Sequence, residues 1–191
     1  MATMFSEESR LLLGNWEAYQ DVQRAEKKLR AELQKAIMSV DLRLRKADFW
    51  RPAWHCQPYG FAQVYIWHDN WVADAQKLVW IGVEGASLEG IFSDGVPASG
   101  YVWVPREQAS PLIQSLRKMF AEKGTEGFGE VESGKGGYIV RQVLPKCLPE
   151  DADNFESSFL EPVIAFLSHY AQYEPEITNT VKEYLKKGSP A

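Results

Sequence analysis

Alternation at period two dominates the middle of the chain. It runs through Ala62–Trp67, Lys77–Val83 and Tyr101–Val104, each rich in β-branched and aromatic residues and set off by turn residues. A shorter run, Leu88–Phe92, fits between the last two. The pattern predicts four strands joined by short loops, hence an antiparallel meander. Successive side chains of a strand point to opposite faces. One face therefore gathers Val64, Ile66, Val79, Ile81, Val83, Val102 and Val104, and the other Tyr65, Trp67, Trp80, Tyr101 and Trp103. Neither face is charged, so simple exposure to water does not suit either. Helices on both faces would satisfy the pattern. So would an aromatic face kept for a partner or ligand, a role Tyr and Trp fill with large area and a polar handle.

Outside that stretch the period changes. From Ser6, a helix cap followed by Glu7 and Glu8, to about Lys46 there is no proline, and Leu12, Trp16, Tyr19, Val22, Leu29, Leu33, Ile37, Val40 and Leu44 recur at mostly helical steps. At 1.5 Å per residue a continuous helix of ~38 residues would be ~57 Å long, so it either bends across the sheet or forms an assembly arm. Leu33, Ile37 and Leu44 lie on its cleanest stripe and are the candidate arm residues. Pro52 and Pro58 predict an extended linker, with the aromatics of 48–54 plugging the edge of the core. Ser110-Pro111 opens a helix carrying Leu112, Leu116 and Phe120. Phe128–Glu132 and Tyr138–Leu144 flank a Gly-rich turn and read as a β-hairpin. Helices follow, with Pro162 as a kink and Pro175 as a start. The expected fold is α+β: a mostly antiparallel sheet, a four-strand meander plus a hairpin, packed with helices. The expected division is a helical arm at 1–47 and an α+β domain at 48–191.

Composition narrows the function. With 191 residues and 45% hydrophobic content the chain can bury a proper core. A net charge of −5 argues against a dedicated nucleic-acid surface, which needs clustered Lys and Arg. Cys56 and Cys147 give no disulfide framework, no signal peptide stands at Met1–Arg10, and no apolar run is long enough to span a membrane. A soluble cytoplasmic protein is the expectation.

Candidate chemistry is sparse. His68-Asp69 ends a strand, but neighbours in sequence rarely share a face. His55, Cys56 and His68 lack a fourth ligand at zinc-like spacing. Gly134-Lys135-Gly136-Gly137 sits between strand-like runs and is a hairpin turn, not a phosphate loop. Asp69, Asp74, Glu84, Glu89 and Asp94 lie near strand ends, where carboxylates can hold Mg²⁺ or keep sheet edges soluble. No cofactor and no metal is expected.

Phe49-Trp50, Tyr65-Ile66-Trp67, Trp71, Trp80-Ile81-Gly82-Val83-Glu84 and Glu89-Gly90-Ile91 together resemble the C-terminal accessory region of some bacterial PD-(D/E)XK nuclease-like proteins, over about residues 48–143. The resemblance implies a link to bacterial DNA-processing or defence. It supplies no catalytic residues: Glu84 is followed by Gly85 and Ala86, where that superfamily needs a lysine. The leading expectation is a non-enzymatic binding or regulatory protein. It would act through protein–protein contacts or self-association of the N-terminal helix and the aromatic face, with Trp67, Trp80, Trp103, Tyr65 and Tyr101 as binding residues. A nucleic-acid-processing enzyme or accessory subunit using Asp69, Asp74 and Glu84 is the second reading. An apolar small-ligand binder is the third.

Overall fold

The structure, a computed structural model, describes residues 5–59, 62–93, 95–105, 110–123 and 137–187. Its fold is the expected α+β arrangement of helices on an antiparallel sheet. Ser6 starts helix α1 (Glu7–Gly14) by accepting a hydrogen bond from the Ser9 N–H at 3.2 Å, with Glu7 and Glu8 in the first turn. Asn15, at φ −120° and ψ 28°, interrupts it before α2 (Trp16–Met38), and a second break at Ser39 precedes α3 (Val40–Leu44). The long helical pattern is thus three helices in series. Only its end joins the core. Leu33, Ile37, Val40 and Leu44 are buried, whereas no described residue from 5 to 32 is.

Strands β1 (Trp54–Tyr59) and β2 (Gln63–His68) come next, then a small hairpin of β3 (Val72–Ala73) and β4 (Gln76–Lys77), then β5 (Trp80–Glu84). Helix α4 (Leu88–Phe92) leads into β6 (Ser99–Trp103), α5 (Ser110–Glu122) and β7 (Tyr138–Val143). The main sheet has the order β1-β2-β5-β6-β7 with every neighbouring pair antiparallel.

Two elements differ from expectation. Trp54–Tyr59 is a strand rather than a linker. Among the described strands it is an edge strand paired only with β2, a place where the missing N–H of Pro58 can face outward at no cost to the ladder. Leu88–Phe92 is a helix rather than a strand. The Ser87 hydroxyl caps it by accepting from the Gly90 N–H at 3.2 Å, and the turn buries Ile91. Gly90 makes this close packing possible, since a Cβ there would lie 2.0 Å from the Gly85 carbonyl oxygen. Of the expected hairpin, Tyr138–Val143 forms β7 and pairs with β6, while Phe128–Glu132 lies outside the described residues.

The aliphatic face is the core face. Val64, Ile66, Ile81, Val83 and Val102 are fully buried. Against them packs α6 (Glu161–Ala171), which lies on β5 and β6 and supplies Val163, Phe166, Leu167 and Tyr170. Helix α3 joins α6 to β1, and α5 joins β7 to α7 (Glu174–Lys186). Pro175 stands in the first turn of its helix, where the missing N–H is harmless. Pro162, the second residue of α6, follows directly on helical backbone rather than on an open helix end. A five-residue π-helical stretch at Glu156–Leu160 runs into α6. The aromatics after α3 do plug the edge. Trp54 packs edge-on against Phe49 and Trp71, at 5.3 and 5.1 Å between ring centroids. The Trp71 indole donates to Thr178 of α7 at 3.1 Å. No described helix is long and apolar enough to cross a membrane.

Candidate functional site

Register places the predicted aromatic residues side by side. Tyr65 of β2 pairs with Gly82 of β5, which pairs with Tyr101 of β6, and Trp80 pairs with Trp103. Because the core takes Val64, Ile66, Ile81, Val83 and Val102, parity turns Tyr65, Trp67, Trp80, Tyr101 and Trp103 to the other side. There Trp67, Tyr65, Trp80 and Trp103 form a row, with successive centroids 5.7, 6.0 and 6.2 Å apart and the rings mutually tilted. All four are half-buried. Among the described residues, their aromatic neighbours are each other and the sheet residues His55 and Tyr138.

Tyr101 differs from the row in being buried, at 5% exposure. Its ring lies over Gly82, where a Cβ would fall 2.6 Å from the Tyr101 Cζ and hydroxyl. Glycine thus leaves a trough across the sheet that the tyrosine fills. Burial pushes the Tyr101 phenol well above its ordinary range, partly opposed by a hydrogen bond from Trp80. Burial also raises the Tyr65 phenol, whose hydroxyl donates to Gln57 Oε1 at 2.9 Å. Both phenols are therefore neutral at any physiological pH.

Charged groups frame the row. At one end the Lys77 ammonium sits 4.3 Å from the Trp67 ring centroid and 5.6 Å from that of Tyr65, a cation–π cap carried by the β3–β4 hairpin. The turn of that hairpin, Asp74 at φ 50° and Ala75 at φ 62°, has the two positive φ values of a type I′ turn. His55 stacks on Trp67 at 5.2 Å and bonds Asp69 through Nε2 at 2.7 Å. At the other end Glu84 accepts from the Tyr138 hydroxyl at 2.8 Å and lies 3.4 Å from Arg141, which in turn sits over the Tyr138 ring. The face thus has an apolar aromatic centre and a polar rim in which His55 is bonded to Asp69 and Glu84 is paired with Arg141.

The remaining candidates are placed apart. His68 turns inward to Trp54, Trp71 and Glu174, while Asp69 turns to His55, so the adjacent pair does not act together. Cys56 faces the core side beside Asp41, and its thiol is pushed up to about 12, first by burial and then by that carboxylate. Glu84 is held by Tyr138 and Arg141, and Glu89 by Arg30. No group of three His, Cys, Asp or Glu side chains among the described residues could hold a metal ion. Leu33, Ile37 and Leu44 lie in this chain's own core, where they fasten the helical region to the sheet.

Sequence reasoning missed Lys77, Tyr138 and Arg141 as parts of the surface. Lys77 was visible at the head of an alternating run, in phase with Val79 rather than with the rings; the break at Leu78–Val79 puts it over them instead. Arg141 and Tyr138 differ by three positions, so simple alternation puts them on opposite faces. The register shift between Val102 and Trp103 returns them to one. In comparisons with known proteins, no family model, no curated protein and no solved structure matches the chain.

Proposed function

We propose that this is a binding protein that holds a protein partner on its aromatic sheet face. The observation that carries the reading is the row Trp67–Tyr65–Trp80–Trp103, half-buried and continuous over β2, β5 and β6 on the side away from the core. Trp, Tyr and Arg are the residues that dominate binding energy when a partner desolvates them. A row of rigid rings loses little conformational entropy on binding. The charge of the surface favours protein over nucleic acid. Among the described residues the cations set against aromatic rings of this face are Lys77, over Trp67 and Tyr65, and Arg141, over the adjacent Tyr138 and beside Glu84, in a chain of net charge −5.

A photo-crosslinking amino acid at position 103, with one at the exposed Lys118 on α5 as control, tests this. The reading requires a discrete protein adduct from position 103 and none from 118. It further requires that Trp80→Ala weaken that partner's binding by about 30-fold or more, as expected for a central aromatic anchor worth ~2 kcal/mol. A Trp80→Ala protein that keeps its far-ultraviolet circular dichroism and binds the captured partner unchanged would refute it.

A further inference from the structure

The aromatic face presents hydrogen-bond donors whose partners lie outside the fold. The Trp71 indole donates to Thr178 in the core, but among the described residues no acceptor takes the indole N–H of Trp67 or of Trp103, and neither nitrogen is a buried, unsatisfied atom. Both N–H groups therefore meet solvent and are open to a ligand. The side-chain acceptors at the rim are already engaged. Gln57 Oε1 accepts from Tyr65 at 2.9 Å, Asp69 bonds His55 at 2.7 Å, and Glu84 accepts from Tyr138 at 2.8 Å. Lys77 lies over Trp67 and Tyr65, and among the described residues no carboxylate pairs with it. The rings of the row are tilted to one another by 36°, 42° and 35°, which leaves clefts between them rather than a flat platform.

We infer that the partner held on this face is a proline-rich segment in the polyproline II conformation, with an acidic residue at the end that lies on Lys77; the inference rests on the reading of the face as a protein-binding surface. Hydrogen-bond complementarity selects this occupant. Proline carries a carbonyl and no N–H, and a polyproline II backbone makes no internal hydrogen bonds, so the segment brings acceptors and few donors of its own. Trp67 and Trp103 are the donors to match. An α-helix has its carbonyls in its own ladder and shows the face only side chains. A β-strand brings an N–H for every carbonyl and pairs with a sheet edge, not a sheet face. Pyrrolidine rings are apolar and rigid, suit the clefts between tilted rings, and lose little entropy because the conformation is already formed. Charge sets the direction: a carboxylate beside Lys77 is attracted, and a basic residue there is repelled.

Selection of random dodecapeptides displayed on phage against the full chain tests this, followed by fluorescence anisotropy of the enriched peptides, synthesised with a label. The expected peptides are rich in proline, carry Asp or Glu toward one end, and bind the Trp80→Ala protein about tenfold or more weakly. Alanine in place of their prolines is expected to weaken binding by about tenfold, since it adds N–H groups without acceptors and loosens the free peptide. Trp103→Phe keeps a ring and removes the donor, and is expected to weaken binding about fivefold. Lys77→Glu is expected to weaken it about threefold and to prefer the peptide whose acidic residue is replaced by lysine. Far-ultraviolet circular dichroism checks that each variant is folded. Trp80-dependent peptides without proline, or an affinity unchanged by Trp103→Phe or by Lys77→Glu, would overturn the inference and leave the wider reading of the face standing. A selection that yields no Trp80-dependent peptide would overturn it as well, whereas the wider reading is decided separately by the adduct at position 103.

Discussion

Replacing Gly82 with alanine tests the geometry at the centre of the aromatic face. The added Cβ would lie 2.6 Å from Tyr101 Cζ and from its hydroxyl oxygen, well inside contact distance. The tyrosine ring has to lift or slide, and it is buried and bonded to Trp80. Overpacking of this kind costs about 1–3 kcal/mol. Against it stands the smaller backbone freedom of alanine in the unfolded chain, about 0.5–1 kcal/mol in favour of the variant. Gly82 has no positive φ, so no backbone strain enters. The net expectation is a loss of about 1–2 kcal/mol, or roughly 3–6 °C in melting temperature for a chain of this size. The decisive assay is a double-mutant cycle in urea. In the Tyr101→Ala background the clash is gone, and Gly82→Ala should be neutral or stabilising by about 0.5 kcal/mol, a coupling of about 2 kcal/mol. Equal effects of Gly82→Ala in both backgrounds would show that the trough does not exist as described.

Four further outcomes follow from other parts of the fold. Gly90→Ala should cost more than Gly82→Ala, about 3 kcal/mol or more by urea denaturation, because its Cβ would meet the Gly85 carbonyl, and backbone cannot swing aside. Ala75→Gly should stabilise by about 0.5–1 kcal/mol, since Ala75 sits at φ 62° in the hairpin that carries Lys77; a loss of stability would contradict the turn geometry. At pH 8, Cys56 with its thiol at about 12 should alkylate on the order of a thousandfold more slowly in the folded chain than in urea, and a folded-state rate near the unfolded one would contradict its burial. The Glu89 carboxyl is held down to about 2 by the Arg30 guanidinium, below its 4.5 in the unfolded chain. The pair's contribution is therefore complete above about pH 4.5 and is lost as pH falls toward 2. The urea-midpoint difference between wild type and Glu89→Gln should shrink across that window, from a small value because both side chains are about half exposed, and a constant difference would remove the pair from the account.

Strand alternation carried most of what proved legible. The two-faced character of Tyr65–Trp67 and Tyr101–Val104 is a property of spacing alone, because the pleat sends alternate residues to opposite sides wherever the strand sits. The α+β class followed from the change of period on either side. Short elements were less readable. Leu88–Phe92 has apolar residues that suit a strand or a helical turn equally, and the Ser87 cap and the contact of Gly90 with the Gly85 backbone decide for the helix. Trp54–Tyr59 carries a proline that speaks against a strand unless the strand is at an edge, and edge position is a fact of sheet order.

The sequence by itself determined which residues are aromatic-facing and where the first helix is capped. These depend on local spacing and composition, which folding does not alter. Tertiary structure decided the rest. It brought Tyr65, Gly82 and Tyr101 into one register, so that a glycine in one strand seats a tyrosine of the next. It carried Lys77 over Trp67 and, through a register shift, Arg141 onto the same face. It also spent Leu33, Ile37 and Leu44 on the core while leaving the equivalent face of residues 11–29 outside. A periodic stripe states that a helix has an apolar side, and only the position of the sheet determines how far along the helix that side is covered.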